Sequence, residues 1–420
     1  MTSTDTAAPR PPHGLTPMVG RDPHEPHRVG SPLELIFDLI AVVAIAIASS
    51  QLGRLMSEGH WVVGIGSFLF AVFGITWAWS SYSQLLSAFD TDDWSVRLVT
   101  LMQMVGVLVL ALGIEPMVTS VDAGLALNNQ QMVLGYVVMR VGVIILWLRV
   151  AHDSQQYRAT ALAYVRALVI SQVGWCLQAF LPLPPKIALA VMGVWLLQEV
   201  LYPVLAERRR RLPWHPHHMA ERYGAFTIIT LGEVVLGTVT AVGADVTASG
   251  WSLNAIVVSV AGLAMGFGIW WIYFILPAGE LLAVRPERLH VVVVLHVLLY
   301  ASIAATGAGL HVAANYVEGE SHVTLLSMAL VLASAPTAAV AVIFALFHVL
   351  LPGFDGFHLG LLLGTLAVAV LGVVLAASGA PLSVVIAVLT LIPWVSVVGY
   401  ELRGHRTLSS RVEQAVGPRP

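Results

Sequence analysis

Residues 33–54 read LELIFDLIAVVAIAIASSQLGR, and no charged residue stands between Asp38 and Arg54. At 1.5 Å per residue in an α-helix, a run of this length crosses the roughly 30 Å of hydrocarbon in a bilayer. Its valines, isoleucines and alanines fall on every face of the helix, so the segment lacks the polar face that a water-exposed helix needs.

Eleven more windows of this kind follow, at roughly 61–84, 96–115, 130–149, 160–181, 186–206, 220–242, 252–276, 289–311, 323–350, 357–377 and 381–400. The connections between them carry the breakers: Asp90 to Asp93, Asn128-Asn129, Pro182 to Pro185, the run from Arg208 to Pro216, Pro277 and Pro352-Gly353. Composition agrees. Of 420 residues, 57% are hydrophobic and 11% charged, whereas a soluble globular chain carries roughly 25% charged residues. The chain therefore reads as an all-α polytopic membrane protein of twelve helices. A first six-helix half covers 31–211 and a second covers 212–402. Residues 1–30, rich in Pro, His and Arg and without an apolar run, read as a disordered cytoplasmic tail, not a signal peptide. Residues 403–420 read as a second cytoplasmic tail.

The basic residues orient the bundle. With twelve helices, and with helix ends counted alongside their loops, 18 of the 21 basic residues lie on the side of the two chain ends. Only Arg54 and Lys186 lie opposite, and Arg140 falls inside a helix. The positive-inside rule then places both termini in the cytoplasm, with the chain in a bacterial cytoplasmic (inner) membrane. A net charge of −3 gives no reason to expect a nucleic-acid partner, and a single cysteine, Cys176, excludes an internal disulfide.

The halves show signs of duplication. Phe73-Gly74-Ile75-Thr76-Trp77 in the second window matches Phe267-Gly268-Ile269-Trp270-Trp271 in the eighth, and Glu207 matches Glu401 at the same shift. Asp38 and Glu233 fall within one residue of that register. Six helices per half give both halves one orientation, a parallel repeat of a kind transporters use.

Ionisable residues inside the windows need a partner or a function, because a bare charge there costs ~2.5–3.5 kcal/mol on insertion scales. Glu233 stands mid-window with Thr227, Thr230, Gly237 and Thr240 at helical spacing, a polar stripe that suits an ion or proton site. Arg140 has Glu233, Glu199 and Asp38 as possible partners, in either a functional pair or a purely structural one. Asp38 lies a turn below Glu34 on one helix face. Ser31-Pro32-Leu33-Glu34 reads as a capping box with proline in the first turn. His296 is a lone histidine on an apolar helix and suits a satisfied core residue as well as a pathway group. Asp90, Asp92 and Asp93 admit three readings: an acidic cation vestibule, a DxDD proton donor like that of class II terpene cyclases, or a helix N-cap. His215-Pro216-His217-His218 lacks companions at ligand spacing, so no metal site is expected. The chain has no P-loop, HExxH or GxSxG motif, and no paired aspartate-rich prenyltransferase motif.

Three segments together resemble the bacterial low-temperature-requirement A family. Residues 32–39, PLELIFDL, are similar to its "LELFFDL" start of the first helix. Residues 89–93, FDTDD, are similar to its "RFDTDD", with Ala88 in place of the arginine. Residues 218–233, HMAERYGAFTIITLGE, are similar to its "HxxERxGLFxIIxLGE". The resemblance implies a multi-helix membrane protein. It makes Glu34, Asp38, Asp90, Asp93, His218, Glu221, Arg222 and Glu233 candidate family positions, and it supplies no substrate.

The reading favours a secondary transporter or ion pathway for an unidentified small solute or ion. Glu233, Asp38, Arg140, Glu199 and His296 would lie along the path. Glu34, Asp90, Asp92, Asp93, His218 and a Glu221–Arg222 pair would form the cytoplasmic mouth. The alternatives are an intramembrane enzyme acting on a lipid or isoprenoid and a non-transporting scaffold or sensor. No catalytic residue, cofactor or metal is nominated, the lipid bilayer is the one partner expected, and no oligomeric state is implied.

Overall fold

The computed structural model describes residues 14–416, apart from 24, 26–28, 318, 320–321, 352 and 354–355. Among them there are helices and no strand. Twelve helices are long and apolar enough to cross a membrane: α1 (Pro32–Ser57), α2 (Trp61–Phe89), α3 (Trp94–Asp122), α4 (Gln130–Asp153), α5 (Arg158–Phe180), α6 (Pro185–Glu207), α7 (Pro216–Gly243), α8 (Ala255–Val284), α9 (Pro286–Val317), α10 (Leu325–Leu350), α11 (Gly356–Ala377) and α12 (Leu382–Gly404). In hydrocarbon each backbone amide must bond within its own segment, which is why such runs become helices.

The breakers act where the sequence puts them, with two extensions. α3 continues past its window because its first piece ends at Leu112 and a second begins at Ile114. α8 breaks at Leu276-Pro277 and resumes at Ala278. α7 is also interrupted: one piece ends at Thr230, Leu231 stands between, and a second begins at Gly232. Thr227 and Thr230 donate their hydroxyls to the carbonyls of Tyr223 and Phe226 one turn back, a pattern that bends helices.

Within the first half α1 packs on α2 and α3, α3 on α4, α4 on α5, and α5 on α6. Within the second, α7 packs on α8 and α9, α9 on α10, α10 on α11, and α11 on α12. The halves meet where α1 and α2 contact α7 and α9. Within the second half α7 and α9 approach closely. A Cβ on Gly307 would lie 2.5 Å from the Glu233 carbonyl, and one on Gly237 the same distance from the Gly307 carbonyl.

The expected tails differ from the structure. Residues 1–13, and the end after Val416, lie outside the described residues. Residues 14–23 instead run as an extended strap on the face that carries both chain ends. The Thr16 N–H donates to Asp93 (3.2 Å), that of Met18 to Asp153 (2.9 Å) and that of Arg21 to the Ala88 carbonyl (3.0 Å). Met18 is 0% exposed. Apolar burial plus side-chain acceptors for the strap's amides overcome a composition that reads as disordered. At the other end His405–Val416 forms a helix, α13, which buries Leu408 and Val412.

Candidate functional site

α1 and α7 run side by side, and their ionisable residues meet rung by rung. Ser31 caps α1, with its hydroxyl accepting from the Glu34 N–H and the Glu34 carboxylate accepting from the Ser31 N–H (2.8 Å). Glu34 then faces His218 (3.3 Å) and the Nε of Arg222 (3.5 Å). One turn deeper, Asp38 receives both arms of the Arg222 guanidinium, Nη1 at 2.8 Å and Nη2 at 2.6 Å. The indole N–H of Trp79 donates to the same carboxylate at 2.6 Å. Glu34, Asp38, Trp79, His218 and Arg222 are all buried. A bidentate, fully desolvated fork of this kind is strong and directional.

An aromatic layer packs against this clasp. The Trp79 ring lies 4.2 Å from Phe226, 5.1 Å from Tyr223 and 6.1 Å from Tyr300, centroid to centroid. Beyond it, in the same register of α1 against α7, Ser49 neighbours Glu233. Glu233 is 5% exposed, and its Oε2 has no hydrogen-bond partner. Among the described residues no basic side chain pairs with it.

Asp38 therefore lies level with Arg222, and Glu233 eleven residues further along α7 than Arg222, about 16 Å deeper at the helical rise. The expected equivalence of Asp38 and Glu233 does not hold, because equivalent residues of a parallel repeat share one depth. The expected stripe on α7 also divides. Thr227 and Thr230 bond their own helix, Gly237 packs on α9, and Thr240 is exposed. The Glu221–Arg222 unit separates likewise: Arg222 turns inward to the clasp, while Glu221 accepts from the Gly30 N–H at the surface (3.3 Å).

Of the three acids open to Arg140, the structure selects Glu199 at 2.8 Å, with both side chains 0% exposed. Tyr136 accepts from the same guanidinium (2.5 Å), and Ser171 donates to Glu199. His296 has both ring nitrogens engaged: Nδ1–H donates to the Val292 carbonyl (2.8 Å), and Nε2 lies 3.0 Å from the Tyr273 hydroxyl. These contacts suit a satisfied core histidine.

The acidic run between α2 and α3 is a cap and a clasp. Asp93 caps α3 by accepting from Ser95 and Val96, and Arg149 grips its carboxylate. Asp92 pairs with Arg97 (3.0 Å), and Asp90 accepts from the Asp92 N–H (2.9 Å). Partial burial works against the Asp93 charge, yet the Arg149 and backbone donors outweigh it and hold the carboxyl well below the usual carboxylate range.

Sequence reasoning missed Trp79, Ser80, Tyr223 and Tyr300, since aromatic and hydroxyl residues inside apolar helices look like core. It also missed that Arg222 belongs to Asp38. The signal was the equal i, i+4 spacing of Glu34/Asp38 and His218/Arg222 on two parallel helices.

None of the curated proteins compared with this chain matches it. The family model described as bacterial low temperature requirement A protein matches residues 29–393. That span begins just before the α1 cap, takes in every rung of the α1–α7 ladder and ends within α12. The match extends over most of the chain, and with it the twelve-helix protein belongs to the bacterial low temperature requirement A family.

Proposed function

We propose that this protein is a secondary transporter or ion pathway of a bacterial cytoplasmic membrane, with both termini cytoplasmic and Glu233 as its ion-exchanging carboxyl. One observation carries the reading: Glu233 is nearly buried, has an oxygen with no hydrogen-bond partner, and has no cationic side chain beside it. A carboxylate so placed binds a proton or a cation, since leaving it charged and bare in hydrocarbon is costly. Its position where α7 is interrupted agrees with the discontinuous helices that line transporter sites. The path would run along α1, α2, α7 and α9, where the two halves meet.

The Asp38–Arg222 clasp and the Trp79–Phe226–Tyr300 layer would then be the closed gate between the cytoplasm and Glu233. With Asp92 and Asp93 tied into caps and ion pairs, intramembrane lipid or isoprenoid chemistry at the acidic run has no free acid there to use. The test is flux into liposomes loaded with a pH-sensitive dye, under imposed proton and alkali-cation gradients. Flux lost in Glu233→Gln, in a protein that still folds, supports the reading. No flux under any gradient overturns it.

A further inference from the structure

A cleft of about 480 Å³ opens between the end of α6, the connection to α7 and the start of α9. Arg208, Arg211, Trp214 and Glu287 line it, and Glu207, Leu212 and His290 form its floor. Leu212 and His290 are also walls of a second, narrower chamber beneath, of about 10 Å³. That is room for roughly one water molecule.

The chamber is polar for its depth. Ser80, Ser81 and Gln84 of α2, Tyr164 of α5 and Tyr202 of α6 face it. Hydrogen bonds tie it to the cleft above and to the buried groups around it. The Tyr164 hydroxyl donates to Glu207 in the floor of the cleft (2.8 Å), and His290 stands 3.7 Å from the same carboxylate. Ser81 donates to the Trp77 carbonyl (2.9 Å) and lies 3.3 Å from the Tyr202 hydroxyl, which sits beside Arg140 and Glu199. Ser80 bonds Tyr223 of α7 (3.0 Å).

We infer that this chamber holds a relay water, and that protons from the cytoplasmic cleft pass through Glu207, Tyr164, the water, Ser81 and Tyr202 to Glu199. The inference rests on reading the protein as an ion pathway, and it names the ion. A chamber for one water excludes a hydrated metal cation. Its walls carry hydroxyls, an amide, the His290 imidazole and aromatic rings, with no carboxylate to coordinate a bare one. The transfer balances as a chain of O–H exchanges. With the Tyr164 hydrogen turned toward the chamber, its oxygen takes the proton of Glu207 as it gives its own to the water. Each later hydroxyl gains one proton and loses one, Ser81 by turning its hydrogen from the Trp77 carbonyl toward Tyr202, and Glu199 ends protonated. Arg140 then loses its counter-charge, so proton arrival breaks a fully buried ion pair. The charged and titratable groups facing Glu207 are Tyr164 on α5, His290 on α9 and Arg211 on the connection to α7, with Arg208 and Glu287 farther around the cleft.

The test is infrared difference spectroscopy of the full chain in lipid nanodiscs after a rapid drop in pH. A carboxylic-acid carbonyl band should appear that Glu199→Gln removes. It should form at least about tenfold more slowly in Glu207→Gln and in Tyr202→Phe, as for other lost proton-transfer groups. Tyr202→Phe keeps the ring and its packing, so the test stays readable if Glu199→Gln fails to fold. The inference is overturned if no such band forms, if the band survives Glu199→Gln, or if neither other variant slows it. Glu233→Gln should leave the band intact. A band without flux in liposomes would overturn the transport reading and leave this relay standing.

Discussion

Glu233 and Asp38 are both buried acids, yet their surroundings assign them different work. Asp38 is fully answered by Arg222 and Trp79, whereas Glu233 has no cation. Removing one partner of a buried pair strands the other charge and costs roughly 3–5 kcal/mol. Asp38→Asn or Arg222→Gln alone should therefore lower thermal stability in detergent sharply. The double variant should lose clearly less than the sum of the two. Additive losses would mean that the clasp is not a coupled unit. Glu233→Gln removes no pair, so it should leave the unfolding temperature at or above that of the parent while flux falls at least about tenfold, one lost proton-exchanging group.

Among elements, the α7–α9 crossing is close, because Gly237 and Gly307 let the two backbones approach, as small residues do between membrane helices. Gly307→Leu would push α9 off the Glu233 carbonyl. An overpacking penalty of about 1–3 kcal/mol is expected, measurable as a lowered unfolding temperature with loss of flux. Of the two acids that hold the strap, Asp93 and Asp153, Asp93 also caps α3 and pairs with Arg149. Its carboxyl lies lower when folded than its unfolded value of about 3.9. It therefore contributes stability above that value and loses it as pH falls further toward its folded value. Acidification below about pH 4 should release the strap to limited proteolysis, and Asp93→Asn should expose it at neutral pH. Equal protection of parent and variant at every pH would remove Asp93 from that role.

For the whole molecule, the lopsided arginine distribution makes a topological prediction with a built-in probe. Lys186 is the sole lysine. It is exposed at the start of α6, on the face opposite the chain ends. A membrane-impermeant amine reagent should label Lys186 in intact cells, and Lys186→Arg should abolish that label. Labelling of Lys186 only in inverted vesicles would reverse the orientation. The two halves meet through α1, α2, α7 and α9, so disturbance of the Asp38–Arg222 rung should change how the halves sit against each other as well as local stability.

Much of this architecture follows from local sequence. Twelve apolar runs become twelve helices because hydrocarbon leaves a backbone no other way to satisfy its amides. The Ser31–Glu34 capping box and the Asp93 cap are legible for the same local reason, since a cap bonds groups three residues apart. The sequence also marks which charges are out of place: Asp38, Arg140, Glu199 and Glu233. It does not pair them. Arg140 had three acids in reach on paper, and Arg222 is 184 residues from Asp38. Which acid meets which base depends on the rotation and depth of each helix, set by close packing such as that of Gly237 on Gly307. Only the folded bundle decided that Arg222 answers Asp38, that Glu199 answers Arg140, and that Glu233 is left without a counter-charge.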